Sequence, residues 1–264
     1  MTEVGAQEVS SPAAAPLEAG KPAPRRRSLY SLQSLAGTVV IAVFVITFIV
    51  QAFQIPSESM EKTLLIGDYL LVDKAHYGHS RLWSCLLPYR PIRHQDIIVF
   101  RYPVNPGQHF VKRVVAIPGD RVRLVDKHVY VNGVPQDDSY ATFRPAWHDS
   151  FRDNFPDGGL YGDSSSAAWF AEARKLTEDG ALIVPEDSYF VLGDNRDDSY
   201  DSRYWGFVPR ENIVGRPLVI YWSVRRDNAA LAHALPSDKL SSLTLNVTQW
   251  LNSLRVDRML RIPR

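Results

Sequence analysis

Two serines stand two apart in Ile55-Pro56-Ser57-Glu58-Ser59-Met60. A serine hydroxyl is a poor nucleophile until a neighbouring base takes its proton. Pro56 fixes its own φ and restricts Ile55, so the turn carrying both hydroxyls is stiff. The rest of the chain has to supply the base. Histidine is the usual one, but His76, His79, His94, His109, His128, His148 and His233 are scattered, and none stands in a recognisable triad signature. There is no Gly-x-Ser-x-Gly elbow. There is no His-Glu-x-x-His or other metal-ligand cluster either, so neither a metal nor a cofactor is expected.

Lys112 is the other candidate base. It lies in the apolar stretch Phe110-Val111-Lys112-Arg113-Val114-Val115. Strand alternation aims it to the face of Phe110 and Val114, opposite Val111, Arg113 and Val115. A free lysine titrates near ~10.4, and burial can lower that by several units. A desolvated neutral amine can deprotonate a serine. The same pattern also fits a structural pair, one charge exposed and the other snorkelling. A third polar stretch runs from Gly193 through Asp194-Asn195-Arg196-Asp197-Asp198-Ser199-Tyr200-Asp201-Ser202-Arg203 to Pro209. A solvated turn would explain its charges. It would not explain Tyr204-Trp205-Gly206-Phe207 at its end, which suggests a buried hydrogen-bond network that positions something.

The elements that must hold these groups are mostly strands. Period-two patterns cover 69–72, 96–102, 110–117, 121–125, 128–131, 189–192 and 218–222. Pro118-Gly119-Asp120 reverses the chain and Asn132-Gly133 is a hairpin signal. Short strands with tight turns predict a mainly β fold, antiparallel sheets or a coiled barrel, not a parallel α/β sheet. A catalytic β core is expected over 54–135 and 188–224. Residues 136–187 break the pattern and read as an inserted cap region, with one helix over 165–177 and packing roles for Trp147 and Trp169. Residues 225–264 form a tail. Over 241–264 it reads as an amphipathic helix, packed on the domain or lying at a lipid interface.

Residues 1–27 are rich in Ala, Pro, Glu and Gly and end in Arg25-Arg26-Arg27; a disordered tail is expected. From Ser28 to Phe53 there is no charged residue, and about 20 apolar residues span a bilayer as a helix. A cleaved signal peptide is the competing reading, but this run exceeds the ~7–15 residues of such a core and no small-x-small site follows it cleanly. A buried soluble helix competes more weakly. The arginines before the span predict a cytoplasmic amino terminus, with residues 54–264 outside. No other run is apolar enough to cross. A net charge of +1 gives no signal for a polyanion, so no nucleic-acid partner is expected. The single cysteine, Cys85, excludes a disulfide within the chain and reads as a small buried apolar residue.

Together these stretches resemble the bacterial type I signal peptidases, membrane-bound Ser/Lys endopeptidases that remove signal peptides. Ile55 to Met60 with Thr63-Leu64, Gly67 to Lys74, Phe110 to Asp120 and Gly193 to Pro209 look like that family's boxes, in family order. The resemblance implies roles. Ser59 would be the nucleophile and Lys112 the general base. Ser57 would lend its hydroxyl to an oxyanion hole shared with the Ser59 N–H. Ser199 would hydrogen-bond Lys112, and Asp194, Arg196, Asp201 and Arg203 would form a supporting ionic network. Phe53, Ile55, Met60, Leu64, Phe110 and Val111 would line shallow pockets for small residues at −1 and −3 of a preprotein. It implies a single-pass enzyme of the bacterial plasma (inner) membrane, its partners the bilayer and signal-peptide-bearing preproteins. Glu58 departs from a common glycine and must point away from the acyl site. Lys62 departs from a common proline, which loosens the turn or moves a charge to the surface. Two rivals share features with this reading: a catalytically silent, membrane-anchored β domain that binds peptides, and a self-cleaving Ser/Lys repressor. The second would need an amino-terminal DNA-binding domain, which residues 1–53 do not offer.

Overall fold

The apolar run forms one helix, α1 (Pro24–Phe44), continued by a π-helical turn over Val45–Ile49. This computed structural model describes residues 24–77, 90–144, 146–156, 167–225 and 253–264. The expected disordered tail over 1–23, Cys85 and tail residues 241–252 lie outside them. The chain divides at Val43–Phe44 into two units. In the first, Leu32, Leu35, Val39, Val40 and Ile41 are all exposed. The helix is shorter than the predicted 28–53. Val50–Gln54 is a strand, β1, in register with β2 (Asp68–Asp73), Phe53 opposite Leu70. Val50-Gln51-Ala52-Phe53-Gln54 carries no clear period of its own, and the partner strand decides between two conformations that such a run allows.

Every strand pairing within the two sheets of the body is antiparallel. Its larger sheet runs β1-β2-β12-β3-β4-β10-β11, adding β3 (Ile97–Arg101), β4 (His109–Ala116), β10 (Ser188–Leu192), β11 (Val208–Pro209) and β12 (Ile213–Ser223). The sheet curls. Phe53 and His109, on strands four places apart in this order, bring their rings within 5.2 Å. Inside the curl, Phe53 and Val111 pack on a core of Ile55, Met60, Leu64, Leu70, Val72, Ile97, Val99 and Ile220. This half-barrel is the mainly β fold expected from the alternation.

A second sheet runs β7-β6-β5-β9-β8: β5 (Arg121–Val125), β6 (His128–Val131), β7 (Val134–Pro135), β8 (Thr177–Glu178) and β9 (Ala181–Ile183). It draws three strands from the stretch assigned to the catalytic core and two from the predicted insertion. Asn132 and Gly133 turn β6 into β7 with φ of 53° and 80°, the left-handed pair of a tight hairpin. Two short helices, α2 (Ser150–Asp153) and α3 (Ala167–Lys175), cover this sheet. Its core joins Val122, Leu124, Leu182, Phe155 and Trp169 to Val115, Phe190 and Leu192 of the larger sheet. Trp169 packs as expected, but Trp147 is 50% exposed, beneath the Arg144 guanidinium.

After Ser253 the tail is not α-helical; it carries a 3₁₀ turn over Val256–Arg258. Leu254 bridges to Val224, and Leu260 and Arg261 exchange backbone hydrogen bonds with Ile220. It thus lies along the part of β12 that β3 leaves unpaired. A free strand edge offers hydrogen bonds that a helix would forgo.

Candidate active site

The serine turn hangs between β1 and β2. Its base is closed by Ile55 N–H to the Asp68 carbonyl (2.9 Å) and Gly67 N–H to the Ile55 carbonyl (3.0 Å). Leu64 N–H donates to the Met60 carbonyl at 2.7 Å, a single helical turn. Met60 and Leu64 are buried beneath it, which leaves Ser57 exposed and Ser59 half-buried. The two hydroxyl oxygens are 3.3 Å apart. Glu58 is exposed and lines the same cleft as the two serines. Lys62 does not loosen the turn. Its φ of 75° is closed to proline, and its Nζ donates to the Ala141 carbonyl at 3.2 Å.

Ser57 and Ser59 share one cleft, of about 570 Å³, with Lys112. Phe53, Ile55, Met60, Phe110 and Val111 also line it, together with Gln54, His109, Asp198 and Tyr200. Leu64 is the exception among the expected pocket residues: it lies wholly buried in the core. Lys112 is 4% exposed. Desolvation lowers its ammonium to about 8, against the nearby Asp201 charge, which pulls it up, and with Arg203, which pushes it down. Every β4 residue from Lys112 to Ala116 is buried, and the strand is interior to the sheet, paired with β3 on one edge and, from Arg113, with β10 on the other. That is the setting in which a lysine gives up its proton near neutrality.

The Gly193–Pro209 stretch closes over the cleft from behind. Gly193 needs its missing side chain: a Cβ there would collide with the Ser59 carbonyl and with Ser199. Ser199 is buried, but its hydroxyl has no hydrogen-bond partner among the described residues, so the expected bond to Lys112 is not formed. The loop is tight enough to bring Ser199 against Gly193, and orientation of its hydroxyl is left to other contacts.

The four residues expected to form an ionic network fall into three separate ion pairs, two of them with residues outside the four. Arg203 grips Asp201 with Nε and Nη2, both at 2.8 Å, and its Nη2 also donates to the Arg196 carbonyl. Asp201 in turn accepts Gly193 N–H at 3.1 Å and caps α4 (Ser202–Trp205). Burial alone would raise the Asp201 carboxyl, but Arg203 and Lys112 hold it below the usual range. Asp194 pairs not with Arg196 but with Arg113, in a two-pronged contact of 2.7 Å on each oxygen. Arg196 reaches Asp138 at 2.8 Å and the Tyr140 hydroxyl. Arg113 and Asp138 were not anticipated. Arg113 carried a signal: a charge flanked on both faces by apolar neighbours is buried with its partner, not exposed.

A second group was also missed. Asp68 is fully buried and accepts from Leu65 N–H, the Ser223 hydroxyl and two tail arginines, Arg255 and Arg258. Burial raises the Asp68 carboxyl, but these bonds, led by Arg258, hold it below the ordinary carboxylate range. Arg258 also donates to the Thr63 carbonyl (3.0 Å), and the Thr63 hydroxyl bonds to Asp194. The tail thereby braces the serine turn. No group of three or more His, Cys, Asp or Glu positioned to hold a metal occurs among the described residues.

Comparisons with known proteins agree with this architecture. A family model described as signal peptidase, peptidase S26, matches residues 29–222. The chain is 36% identical over 199 residues to a probable signal peptidase I-2 from Synechocystis sp., covering 74% of this chain and 73% of that one. It is 38% identical over 221 residues to signal peptidase I of Aquifex aeolicus, covering 70% and 81%. To signal peptidase I of Pseudomonas fluorescens it is 35% identical over 195 residues, covering 67% and 66%. Fold and matches together define a serine protease built on antiparallel sheets. The chain belongs to the bacterial type I signal peptidases, enzymes that remove signal peptides from preproteins.

Proposed function

We propose that this protein cleaves membrane-delivered preproteins after small-x-small sites, with Ser59 as nucleophile and Lys112 as general base. The observation that carries the reading is a buried lysine, lowered to about 8, opening into the cleft that holds the paired serines. Neutral Lys112 takes the Ser59 proton as Oγ attacks the scissile carbonyl. The oxyanion is received by the Ser59 N–H and the Ser57 hydroxyl. Protonated Lys112 then gives its proton to the leaving amine, the acyl–serine ester remains, and Lys112 activates the water that hydrolyses it.

Two free backbone edges favour an extended substrate. Among the described strands, β1 pairs only with β2, and β4 pairs with β10 no earlier than Arg113, so His109–Lys112 is open on that side. An extended peptide laid there gains main-chain hydrogen bonds and alternates its side chains. Residues −1 and −3 would both face Phe53, Ile55, Met60, Phe110 and Val111, and bulk would be excluded. Helix α1 serves as the anchor. Tyr30–Thr47 has a mean hydropathy of 1.8 and is wholly exposed, a surface suited to lipid. With Arg25-Arg26-Arg27 on the cytoplasmic side, the β body would lie outside the plasma membrane.

The deciding experiment is cleavage of one preprotein carrying an Ala-x-Ala site by wild type, Ser59→Ala and Lys112→Ala, with the product's new amino terminus sequenced. Both variants should be inactive while keeping the wild-type Tm within a few degrees. Cleavage by either overturns the assignment.

A further inference from the structure

Asn195 lies between two residues of the ionic network, yet no step above uses it. It is 0% exposed. Its backbone N–H donates to the Ser59 carbonyl at 3.1 Å. Its Nδ2 reaches the Glu58 carbonyl at 3.4 Å and Glu61 Oε2 at 3.3 Å. Both of those neighbours are acceptors, so the NH₂ end of the amide must face them. The other end, Oδ1, is buried with no hydrogen-bond partner among the described residues. A buried, unsatisfied carbonyl costs stability, and a leucine of similar size would avoid that cost. Packing alone does not account for an asparagine here.

The Glu58 carbonyl and the Ser59 N–H are the two ends of one planar peptide group. In the reading above, that N–H is an oxyanion donor. A hydrogen bond to the carbonyl end fixes the rotation of the peptide plane and polarises the N–H at its far end. The next carbonyl, of Ser59, is held by the backbone of the same asparagine. Asn195 is itself fixed by Thr142, which pairs with it from the other side: Thr142 N–H donates to the Asp194 carbonyl (2.7 Å), and Arg196 N–H to the Thr142 carbonyl (3.1 Å). Gly193 allows this loop to approach the Ser59 carbonyl closely enough for both contacts.

We infer that Asn195 is a positioning residue of the oxyanion hole: it aligns the Glu58–Ser59 peptide so that its N–H meets the developing oxyanion. The inference rests on the assignment of Ser59 as nucleophile and deepens it.

The test uses full-length protein in detergent with Asn195→Leu, which keeps the backbone N–H and most of the volume. If leucine lowers the Tm by more than a few degrees, Asn195→Ala, which adds no bulk, replaces it. Three quantities are read: kcat and KM on a preprotein, affinity for a peptide aldehyde that forms a tetrahedral adduct with the serine, and affinity for the same peptide with its scissile amide reduced to an amine. The reduced peptide carries no carbonyl and cannot use the oxyanion hole. kcat should fall about three- to tenfold at unchanged KM, the size of one net hydrogen bond. Aldehyde affinity should fall by the same factor, and reduced-peptide affinity should stay as it was. Unchanged kcat overturns the inference, as does parallel weakening of both peptides, which marks a general packing role. The Ser59→Ala control separates the two levels: a cleaving Ser59→Ala removes the nucleophile assignment, whereas an inert Ser59→Ala beside a fully active Asn195→Leu removes only the role of Asn195.

Discussion

In the proposed reaction Lys112 acts as a neutral amine, and its buried setting, which lowers it to about 8, would set the pH range of the enzyme. kcat/KM should rise with pH along a limb centred near 8, with the protonated amine inactive below it; a limb near 6 to 7 would point to a histidine base instead. The same burial has a stability cost. Between about 8 and the ordinary value of 10.5, the unfolded chain holds a proton that the folded one has released, so stability rises with pH across that window. Below it, both states are charged and the fold must bury the charge. Lys112→Met should therefore be inactive yet melt higher than wild type at pH 7, measured by calorimetry. In the proposed mechanism Ser57→Ala would keep the nucleophile and lose one oxyanion donor, so kcat should fall by about 10²-fold with KM little changed. Gly193→Ala should be harsher than its chemistry suggests. A methyl there meets the Ser59 carbonyl, and overpacking of about 1–3 kcal/mol would be felt at the nucleophile itself.

At the scale of elements, the tail and the serine turn form one assembly. The tail strap lies on the free part of β12, and from it Arg258 reaches Asp68 and the Thr63 carbonyl. Both charges are buried, at 6% and 0% exposure, so removing Asp68 strands Arg258 and removing Arg258 leaves Asp68 only the longer Arg255 contact of 3.4 Å, a loss of up to roughly 3–5 kcal/mol. Arg258→Met should lower the Tm by many degrees. Asp68→Asn, which keeps hydrogen-bonding capacity in place of charge, should lower it less than Asp68→Ala. The helical periodicity read over 241–264 did not forecast this. Arg255 and Arg258 are spaced as a helix face would be, but that spacing also suits a 3₁₀ turn, Val256–Arg258, that sends both guanidinium groups to one carboxylate. Six strands, by contrast, were legible to within a residue at each end, while β12 starts five residues before the expected 218 and β1, β7, β8, β9 and β11 were not read. Alternation in β5 and β6 is enforced by one buried face, and a slip of one residue would expose it, whereas β3, the end of β4 and β10 are continuous apolar runs buried at successive positions.

For the whole molecule, the division at Val43–Phe44 separates a lipid-suited helix from a β body with three cores of its own. A chain beginning at Phe44 should fold, with the circular dichroism of a β protein. It should cleave a soluble model peptide in detergent, and lose most activity on preproteins in vesicles, where anchoring supplies local concentration. Asp68, Asp153 and Asp201 all titrate below the ordinary carboxylate value of 3.8, their arginine partners outweighing burial. Their contribution to stability is complete above that value and is lost as pH falls through the lower folded values. The Tm of the β body should thus decline steeply below about pH 4 and be less sensitive to pH between 5 and 7.

The sequence by itself determined the long apolar helix, the antiparallel β class and the four chemical stretches. Each is a local pattern: an uncharged apolar run, a period of two, and reactive residue types in fixed order along the chain. Only the tertiary structure decided the pairings. Asp194 could have met Arg196 two residues away, yet it meets Arg113 from β4, because a curled sheet brings distant strands closer than neighbours along an extended loop. It also decided that Val50–Gln54 is strand rather than helix, that Leu64 is core rather than pocket, and that Asn195 faces the nucleophile's own peptide. These outcomes depend on which surface each residue meets, and that is a property of the closed fold, not of the order of residues along the chain.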